Sequence, residues 1–388
     1  MSMLLAGSDD VGWRESGGKS GALGNALAIL KEMDWLLLGG ILMLAAFGIH
    51  VLAGAVAGIP ALEPVVGKQL FFLWIALAAM IAVTLIDYRW INRAALLLYG
   101  LNLIALVVVL GSKSINGARS WIDLGPINWQ PAETMKLATI LVNAQWLSMN
   151  PGELRHWRGL IPPAFICGLP AGLILLQPDL GSASLFFLVF MTMMLVSGFS
   201  KKILGMIILA TAVGAVSVYP FLKPYQKERI AVFINPERDP RGTGYNVIQS
   251  KIAIGSGGWM GEGWGQGSQG SRRFLPEHHT DFIFASAVEQ FGFAGGAFII
   301  GCYMLIIFRL VRTMDRARDR FGGIVIAGLV AILLGHITLN AGMTMGLVPV
   351  TGIPLPLLSY GGSFLITTCI SFGAALNVAT RRYLLVGL

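Results

Sequence analysis

Apolar and polar positions follow one another along this chain in long blocks, without the short period of a soluble amphipathic helix or strand. Most of the apolar blocks are long enough to cross a bilayer core as a helix, which takes about 17 to 25 residues. Short polar turns and one long polar interval separate them. The pattern predicts an all-α polytopic membrane protein with about ten transmembrane helices.

The predicted helices cover residues 35–55, 69–86, 94–110, 131–147, 160–176, 178–196, 203–219, 280–308, 323–345 and 359–379. Residues 1–33 form a polar tail rich in glycine and serine, which we expect to be disordered. Residues 34–388 are interpreted as one membrane domain. Its long polar interval, residues 221–281, is a loop between the seventh and eighth helices. A loop of this length with aromatic residues favours a lid or groove wall over a ligand.

Basic residues are concentrated in the short loops on the side of the two termini. They are Arg89, Arg93, Arg155, Arg158, Lys201, Lys202 and five arginines within residues 309–320. Because positively charged loops stay in the cytoplasm, both termini are predicted to be cytoplasmic. The 221–281 loop and the other polar segments then share the extracytoplasmic face.

The composition agrees with a membrane protein, since 55% of the 388 residues are hydrophobic and only 12% are charged. A soluble domain has about 25% charged residues. The net charge of +8 comes mainly from the short loops, so no nucleic-acid partner is predicted. Cys167, Cys302 and Cys369 lie in apolar blocks and are expected to be small buried side chains. The absence of a nucleotide-binding motif indicates that an enzyme here would act at the outer face without ATP.

Titratable side chains are densest in residues 272–284, immediately before the eighth predicted helix. Thr280 and Asp281 have the residue types of a helix start, where a hydroxyl caps and a carboxylate favours the positive end. The alternative is that Asp281 is a catalytic carboxylate. His278 and His279 lie next to Glu277 but lack the four-residue spacing of helical metal ligands, so no metal site is predicted.

Two further segments, residues 130–133 and 177–181, begin a helix with Gln-Pro and an acid in the first turn. Ordinary helix-start chemistry suffices to explain both. Glu133 and Lys136, however, are three residues apart and enter the predicted membrane. Ionisable groups there are costly and usually paired or functional, so an ion pair lining a polar cavity is one interpretation. Interfacial snorkelling of Lys136 is the other.

The external loop of residues 116–125 contains Arg119 and Trp121. An Asn-Gly turn and an interfacial tryptophan account for this loop structurally. Arg119 could instead bind a phosphate through its planar guanidinium group. Three prolines within residues 349–356 stand in an apolar setting, which predicts an irregular segment facing a cavity.

These segments resemble the motifs of the SEDS family (shape, elongation, division and sporulation). The resemblance covers the chain from the first predicted helix to Arg382. Its specific motifs, in family order, are residues 116–122, 130–136, 177–181, 244–250, 265–268, 275–284 and 354–363. It implies a ten-span peptidoglycan glycosyltransferase that polymerises lipid II at the outer face of the bacterial inner membrane. The Gly-Gln-Gly-Ser run at 265–268 and the short C-terminal tail favour the RodA-like elongation branch.

The resemblance also implies roles for individual residues. The essential extracellular aspartate of the family corresponds to Asp281, and its charged cavity residues correspond to Glu133, Lys136 and Asp179. The full set expected to bind substrate is Glu133, Lys136, Asp179, Arg119, Arg229, Glu277, His279 and Ser359. The implied partner is a class B penicillin-binding protein, a transpeptidase of the elongation complex. No tightly bound cofactor is expected. Whether a divalent cation, Mg²⁺ or Mn²⁺, takes part is left open.

The chain departs from common family patterns at three positions. Ala132 stands where serine is frequent, Ser120 where arginine is frequent, and Gln290 where a second acid is frequent. The change at Ser120 weakens any scheme that needs two arginines in the external loop. None of the three affects Asp281.

The expected mechanism is a single inverting displacement, because lipid II carries an α-linked sugar and the product glycan is β-1,4-linked. Asp281 would act as the general base. Lys136, Arg119 and Arg229, with or without a divalent cation, would face the leaving pyrophosphate. Two alternatives are a lipid II flippase and a non-catalytic scaffold for a transpeptidase. The clustering of charge on the outer face favours the enzyme, since a transporter site lies nearer the midplane.

Overall fold

The computed structural model describes residues 31–86, 88–111, 120–123, 125, 128–218, 220, 224–239, 242–267, 275 and 277–381. This part of the chain is nearly all helical. Its α-helices are α1 (Trp35–Val56), α2 (Glu63–Leu85), α3 (Tyr88–Leu110), α4 (Pro131–Met149), α5 (Ile161–Leu176), α6 (Leu180–Val196), α7 (Lys201–Val218), α8 (Pro224–Ile234), α9 (Thr243–Ser256), α10 (Ile283–Asp315), α11 (Arg320–Met345) and α12 (Gly362–Arg381). A short hairpin pairs β1 (Ile122–Asp123) with β2 (Asn128–Trp129).

The predicted all-α membrane class is confirmed, and a helix stands at each of the ten predicted positions. α2 begins six residues earlier than predicted, because a proline in its first turn is compatible with a helix start. Seven helical segments within the described residues are long and apolar enough to span a bilayer. α6 has only 17 residues, and α4 carries charged residues in its first turns. The number of ten spans therefore stays a prediction.

The interval predicted as a loop at 221–281 contains helices of its own, α8 and α9. α9 packs against α10 and α11. The Ser250 hydroxyl on α9 donates to the carbonyl of Thr344 on α11 at 2.8 Å. Residues 268–274 lie outside the described part of the chain. The described part of the interval is thus a layer attached to the helical bundle.

A partly buried ion pair connects the start of α1 with α10. Arg309 Nη2 lies 2.7 Å from Asp34 Oδ2, and Arg309 Nε lies 3.1 Å from each carboxylate oxygen. Asp34 Oδ1 also accepts from the amide of Leu37 at 3.0 Å and so caps α1. One carboxylate therefore fixes both the start of α1 and its contact with α10.

α10 is interrupted at Gly292, which has φ 66° and ψ −162°. The backbone groups released by this break pair with residues 258–263, which we call the sealing loop. The four hydrogen bonds are Phe293 N to Gly258 O (2.8 Å), Ala294 N to Trp259 O (3.1 Å), Glu262 N to Glu289 O (2.9 Å) and Gly263 N to Gln290 O (3.2 Å). Buried backbone groups at membrane depth require such partners. The loop therefore makes the break compatible with an apolar setting.

The proline-rich segment between α11 and α12 is irregular, as predicted, and several of its apolar side chains are buried. Ile353, Leu355 and Leu358 are each at most 2% exposed. The segment passes close to α1, where a Cβ on Gly48 would lie 2.4 Å from the carbonyl oxygen of Leu357. Only glycine permits this approach.

Candidate active site

A cleft of about 860 Å³ opens where α2, α4, α6, α10 and α12 begin. Its walls include the β1–β2 hairpin, the turn at 277–281 and the proline-rich segment. The charged residues that line it among the described residues are Glu133, Asp179, Glu277, Asp281 and Lys68. The cleft thus brings together residues from five separate parts of the sequence, and four of its five charged groups are acids.

Asp281 lies in the turn before α10, and it does not cap that helix. α10 begins at Ile283 with Phe282 at the N-cap position and no capping side chain. The Thr280 hydroxyl instead donates to Glu277 Oε2 at 2.9 Å. The helix-start interpretation of Thr280 and Asp281 is therefore wrong. Asp281 is half-buried, and a Cβ on Gly352 would lie 3.3 Å from its Oδ2 atom.

The backbone that carries Asp281 is held by four successive carbonyls, each of which accepts a hydrogen bond from outside the turn. The pairs are Ser286 Oγ to His278 O (3.2 Å), Tyr360 N to His279 O (3.0 Å), Ser359 Oγ to Thr280 O (2.6 Å) and Asn340 Nδ2 to Asp281 O (2.8 Å). Buried carbonyls with well-aligned donors are rigid elements of a fold. This turn is therefore a fixed platform, and it places the Asp281 carboxylate in the cleft wall.

The environment of Asp281 changes its acidity. Burial, together with smaller contributions from the nearby carboxylates of Glu277 and Asp179, raises the pKa of the Asp281 carboxyl to about 6. A carboxylate with such a pKa is a stronger base than an exposed aspartate and is still ionised at neutral pH. Burial also lowers the pKa of His279, helped by His278, which favours a neutral imidazole.

The ion pair predicted between Glu133 and Lys136 is present. Lys136 Nζ lies 2.8 Å from both carboxylate oxygens of Glu133 and 2.9 Å from His336 Nε2. The ammonium group therefore forms an ion pair with Glu133 and a hydrogen bond with the imidazole of His336. Glu133 lines the cleft, whereas Lys136 lies behind it and is 3% exposed. Lys136 is thus engaged with Glu133 and His336 rather than directed at the cleft.

The other predicted substrate-binding residues have different positions. Asp179 lines the cleft and also caps α6, accepting from Ser182 N at 2.9 Å. Glu277 is exposed at the rim. His279 lies beside the Tyr360 ring, with 6.0 Å between the ring centroids, and is absent from the cleft lining.

Ser359 is 1% exposed and does not line the cleft. Its hydroxyl accepts from Leu355 N at 2.8 Å and donates to Thr280 O. It therefore stabilises the backbone of the cleft wall without facing the cleft. Arg119 and the side chain of Arg229 lie outside the described part of the chain. The roles predicted for all these residues in binding substrate stay predictions.

Sequence reasoning missed three residues that the structure places at or near the site. Lys68 precedes the helix predicted at residues 69–86, but α2 begins at Glu63 and Lys68 lies in the cleft. Asn340 and His336 lie on α11 and are buried at 0% and 1% exposure. The signal for both was available, because polar side chains within an apolar span are usually paired or functional.

A bound metal ion would need several converging ligands. Within the described residues, no group of three or more His, Cys, Asp or Glu side chains is arranged to hold one. The carboxylates of Asp179, Glu277 and Asp281 are the oxygen donors that Mg²⁺ prefers, and those of Glu277 and Asp179 are close enough to Asp281 to raise its pKa. The described side chains by themselves do not complete a coordination sphere.

The sequence was compared with known protein families and proteins. The family model for cell cycle proteins of the FtsW, RodA and SpoVE type matches residues 33–384. The peptidoglycan glycosyltransferase MrdB of Escherichia coli K12 is 38% identical over 313 residues, which cover 80% of this chain and 84% of that protein. The peptidoglycan glycosyltransferase RodA of Treponema pallidum is 31% identical over 430 residues, covering 91% of this chain and 99% of that protein.

Solved structures show the same fold. A chain from a peptidoglycan synthase complex, described as coordinating polymerisation and crosslinking, has 34% identity and a TM-score of 0.78 and covers 90% of this chain and 98% of its own. The RodA protein of Thermus thermophilus has 28% identity and a TM-score of 0.68, with the same coverage. A family model over nearly the full length, relatives above 30% identity and this structural match agree with one another, and the chain belongs to the FtsW/RodA/SpoVE family, that is, the SEDS family.

Proposed function

We propose that this peptidoglycan glycosyltransferase polymerises lipid II into β-1,4-linked glycan strands during cell elongation, by inverting transfer with Asp281 as the general base. The observation that carries the proposal is the Asp281 carboxylate. It stands in the wall of the large cleft on a rigid turn, and its pKa is raised to about 6. The names of the relatives, which include RodA and MrdB glycosyltransferases, support the reaction class.

The transfer step follows from the charges in the cleft. The acceptor sugar hydroxyl gives its proton to the Asp281 carboxylate as its oxygen attacks the anomeric carbon of the donor. The bond from that carbon to the pyrophosphate oxygen breaks, and the lipid pyrophosphate leaves with the electron pair. Attack opposite the leaving group converts the α-linkage into a β-linkage. A positioned general base contributes about 10²–10⁴-fold to such a step.

The leaving pyrophosphate is anionic, and most of the charged side chains in the cleft have the same sign. Lys68 is the cation that lines the cleft among the described residues, so we assign it to the pyrophosphate in place of Lys136. Lys136 is engaged with Glu133 and His336 and does not line the cleft. Arg119 and Arg229 remain proposed contributors from the outer loops. A divalent cation brought with the substrate would reduce the repulsion between the pyrophosphate and the carboxylates.

The proposed setting is the bacterial inner membrane, with both termini in the cytoplasm and the cleft facing outward. The basic loops on the terminal side support this orientation. The proposed partner is a class B penicillin-binding protein of the elongation complex. The similar chain from a complex that coordinates polymerisation with crosslinking supports a transpeptidase as partner.

A lipid II flippase is the alternative of a different class. A transporter site lies near the midplane between broken helices. Here the large cleft lies where α4, α6 and α10 begin, at one end of the bundle. The cavity behind it, between α4, α11 and α12, has a volume of only about 40 Å³. This arrangement favours chemistry at one face over passage through the bundle.

The test is polymerisation of labelled lipid II by the purified protein with its transpeptidase partner. Asp281→Asn is compared with wild type and with Glu237→Gln, which neutralises an exposed acid outside the cleft lining. We expect full activity in Glu237→Gln and at least a hundredfold loss in a folded Asp281→Asn protein. Normal polymerisation by Asp281→Asn would refute the base assignment. If wild type made no polymer but moved lipid II between leaflets, the flippase would be the correct reading.

A further inference from the structure

His336, in the middle of α11, has both ring nitrogens engaged although it is almost fully buried. Its Nε2 atom lies 2.9 Å from Lys136 Nζ, and its Nδ1 atom lies 2.8 Å from the carbonyl oxygen of Pro354. An ammonium group can only donate and a carbonyl can only accept. Nε2 must therefore be unprotonated and Nδ1 must carry the hydrogen. The contacts define one tautomer of a neutral imidazole.

This histidine joins two walls of the cleft. On one side, Lys136 holds the carboxylate of Glu133, which lines the cleft. On the other side, Pro354 belongs to the proline-rich segment, which also lines the cleft. The Lys136–Glu133 pair is therefore attached through His336 to a different element of the chain.

One helical turn further along α11, Asn340 continues the same connection. Its amide nitrogen donates to the carbonyl of Ile353 at 2.7 Å and to the carbonyl of Asp281 at 2.8 Å. Residues four apart on a helix face the same side, so His336 and Asn340 bind the consecutive carbonyls of Pro354 and Ile353. A continuous series of hydrogen bonds, joined through the backbone between Ile353 and Pro354, thus connects Glu133 with Asp281.

We infer that His336 is a positioning residue for the transfer reaction, a role that rests on the proposed function. It sets the place of the Glu133 carboxylate relative to Asp281 across the cleft by fixing Lys136 against the Pro354 carbonyl. Reacting groups must be held closely, because a displacement of about 1 Å can cost about 100-fold in rate. Neither Asp281 nor Glu133 touches His336, so the effect passes through Lys136 and Asn340.

The alternative is that His336 only fills space and satisfies its own polar atoms. Such a histidine would contribute to stability, and its loss would leave catalysis by the folded protein unchanged. The two roles are separated by measuring kcat and KM on protein that is shown to be folded. They are also separated by a variant that keeps the polar contacts without the imidazole.

The variants are His336→Gln, His336→Leu and Ile326→Ala. Glutamine presents an oxygen that can accept from Lys136 and an NH₂ that can donate to Pro354, whereas leucine presents neither. Ile326 is buried on the same helix and has no polar group, so its truncation lowers stability without touching the hydrogen bonds. All are assayed with the transpeptidase partner for lipid II polymerisation, and their unfolding temperatures are measured.

We expect His336→Leu to lose at least tenfold in kcat with a change of less than twofold in KM. His336→Gln should stay within threefold of wild type, and Ile326→Ala should unfold at a lower temperature with normal kcat. In a folded protein, unchanged kcat in His336→Leu, or equal losses in the glutamine and leucine variants, would overturn the inference. Loss of kcat in Ile326→Ala to the same extent would assign the effect to stability.

The double variant that combines His336→Leu with Lys136→Met tests whether His336 acts through Lys136. If His336 acts through Lys136, the losses in His336→Leu and Lys136→Met are not additive. Additive losses would contradict that route. Asp281→Asn is assayed in parallel, because normal activity in that variant refutes the base assignment, whereas normal activity in His336→Leu refutes only the positioning role.

Discussion

Replacing Asp281 with asparagine is expected to make the protein more stable. The pKa of this carboxyl is raised from 3.8 to about 6, and one pKa unit corresponds to about 1.4 kcal/mol. The full shift of about 2 units would amount to about 3 kcal/mol of penalty for the ionised side chain in the folded state. Water in the cleft screens a half-buried group, so we expect a gain of about 1–2 kcal/mol for the neutral, isosteric amide.

The gain depends on pH in a definite direction. Below about pH 4 the carboxyl is protonated in both the folded and the unfolded protein, so it carries no penalty. Between about pH 4 and pH 6 the unfolded chain loses this proton first, and the stability of wild type falls relative to Asp281→Asn as the pH rises. Above about pH 7 the difference is constant and largest.

The assay is thermal unfolding of both proteins in nanodiscs at several pH values from 4.5 to 8. At about 2 °C per kcal/mol for a chain of this size, Asp281→Asn should unfold about 2–4 °C higher at pH 8 and close to wild type at the lowest pH. Glu237→Gln controls for the loss of an exposed carboxylate and should show no such trend. An asparagine variant that unfolds at a lower temperature at pH 8 would mean that the carboxylate makes a stabilising contact, and the reasoning would fail.

Three further substitutions have defined outcomes. Arg309→Met should lower the free energy of unfolding, measured by denaturation, by about 3 kcal/mol, because it leaves the Asp34 carboxylate charged and buried. Adding Asp34→Asn to this variant should restore part of the lost stability. Ser359→Ala should lower the free energy of unfolding by about 1–3 kcal/mol, because two backbone groups lose their hydrogen bonds to the hydroxyl. KM for lipid II should stay unchanged, and a raised KM would show that Ser359 touches substrate. Gly292→Ala should prevent accumulation of folded protein, measured by size-exclusion chromatography, because its Cβ would lie 2.4 Å from the backbone of the sealing loop.

The sequence was sufficient to predict the ten long helices, but not α8 and α9, and several of the residues that line the cleft. Long apolar blocks have one stable conformation at a bilayer, so their positions follow from composition alone. Asp281 and Glu133 were identifiable because a carboxylate at the edge of an apolar block is expensive and needs a reason, whereas Asp179 was expected only from the family resemblance. The structure places all three in one cleft.

The failures concern the choice of hydrogen-bond partner, once within a short segment and once between distant parts of the chain. Thr280 and Asp281 have the residue types of a helix cap, yet Thr280 bonds Glu277 and α10 begins two residues after Asp281. Lys136 has the charge of a phosphate ligand, but its place behind Glu133 depends on His336, 200 residues away. Local pattern carries no information about such pairs, because they are created by the packing of α4 against α11.

The break at Gly292 has a consequence for how α10 opens. The amides of Phe293 and Ala294 depend on the sealing loop, and the amides of Glu262 and Gly263 depend on α10. Neither segment can lose its partners without exposing the other, so the two form one cooperative unit although about 30 residues separate them. In hydrogen–deuterium exchange these four amides should become labelled together. The part of α10 that follows Ala294 should keep its protection after they have exchanged.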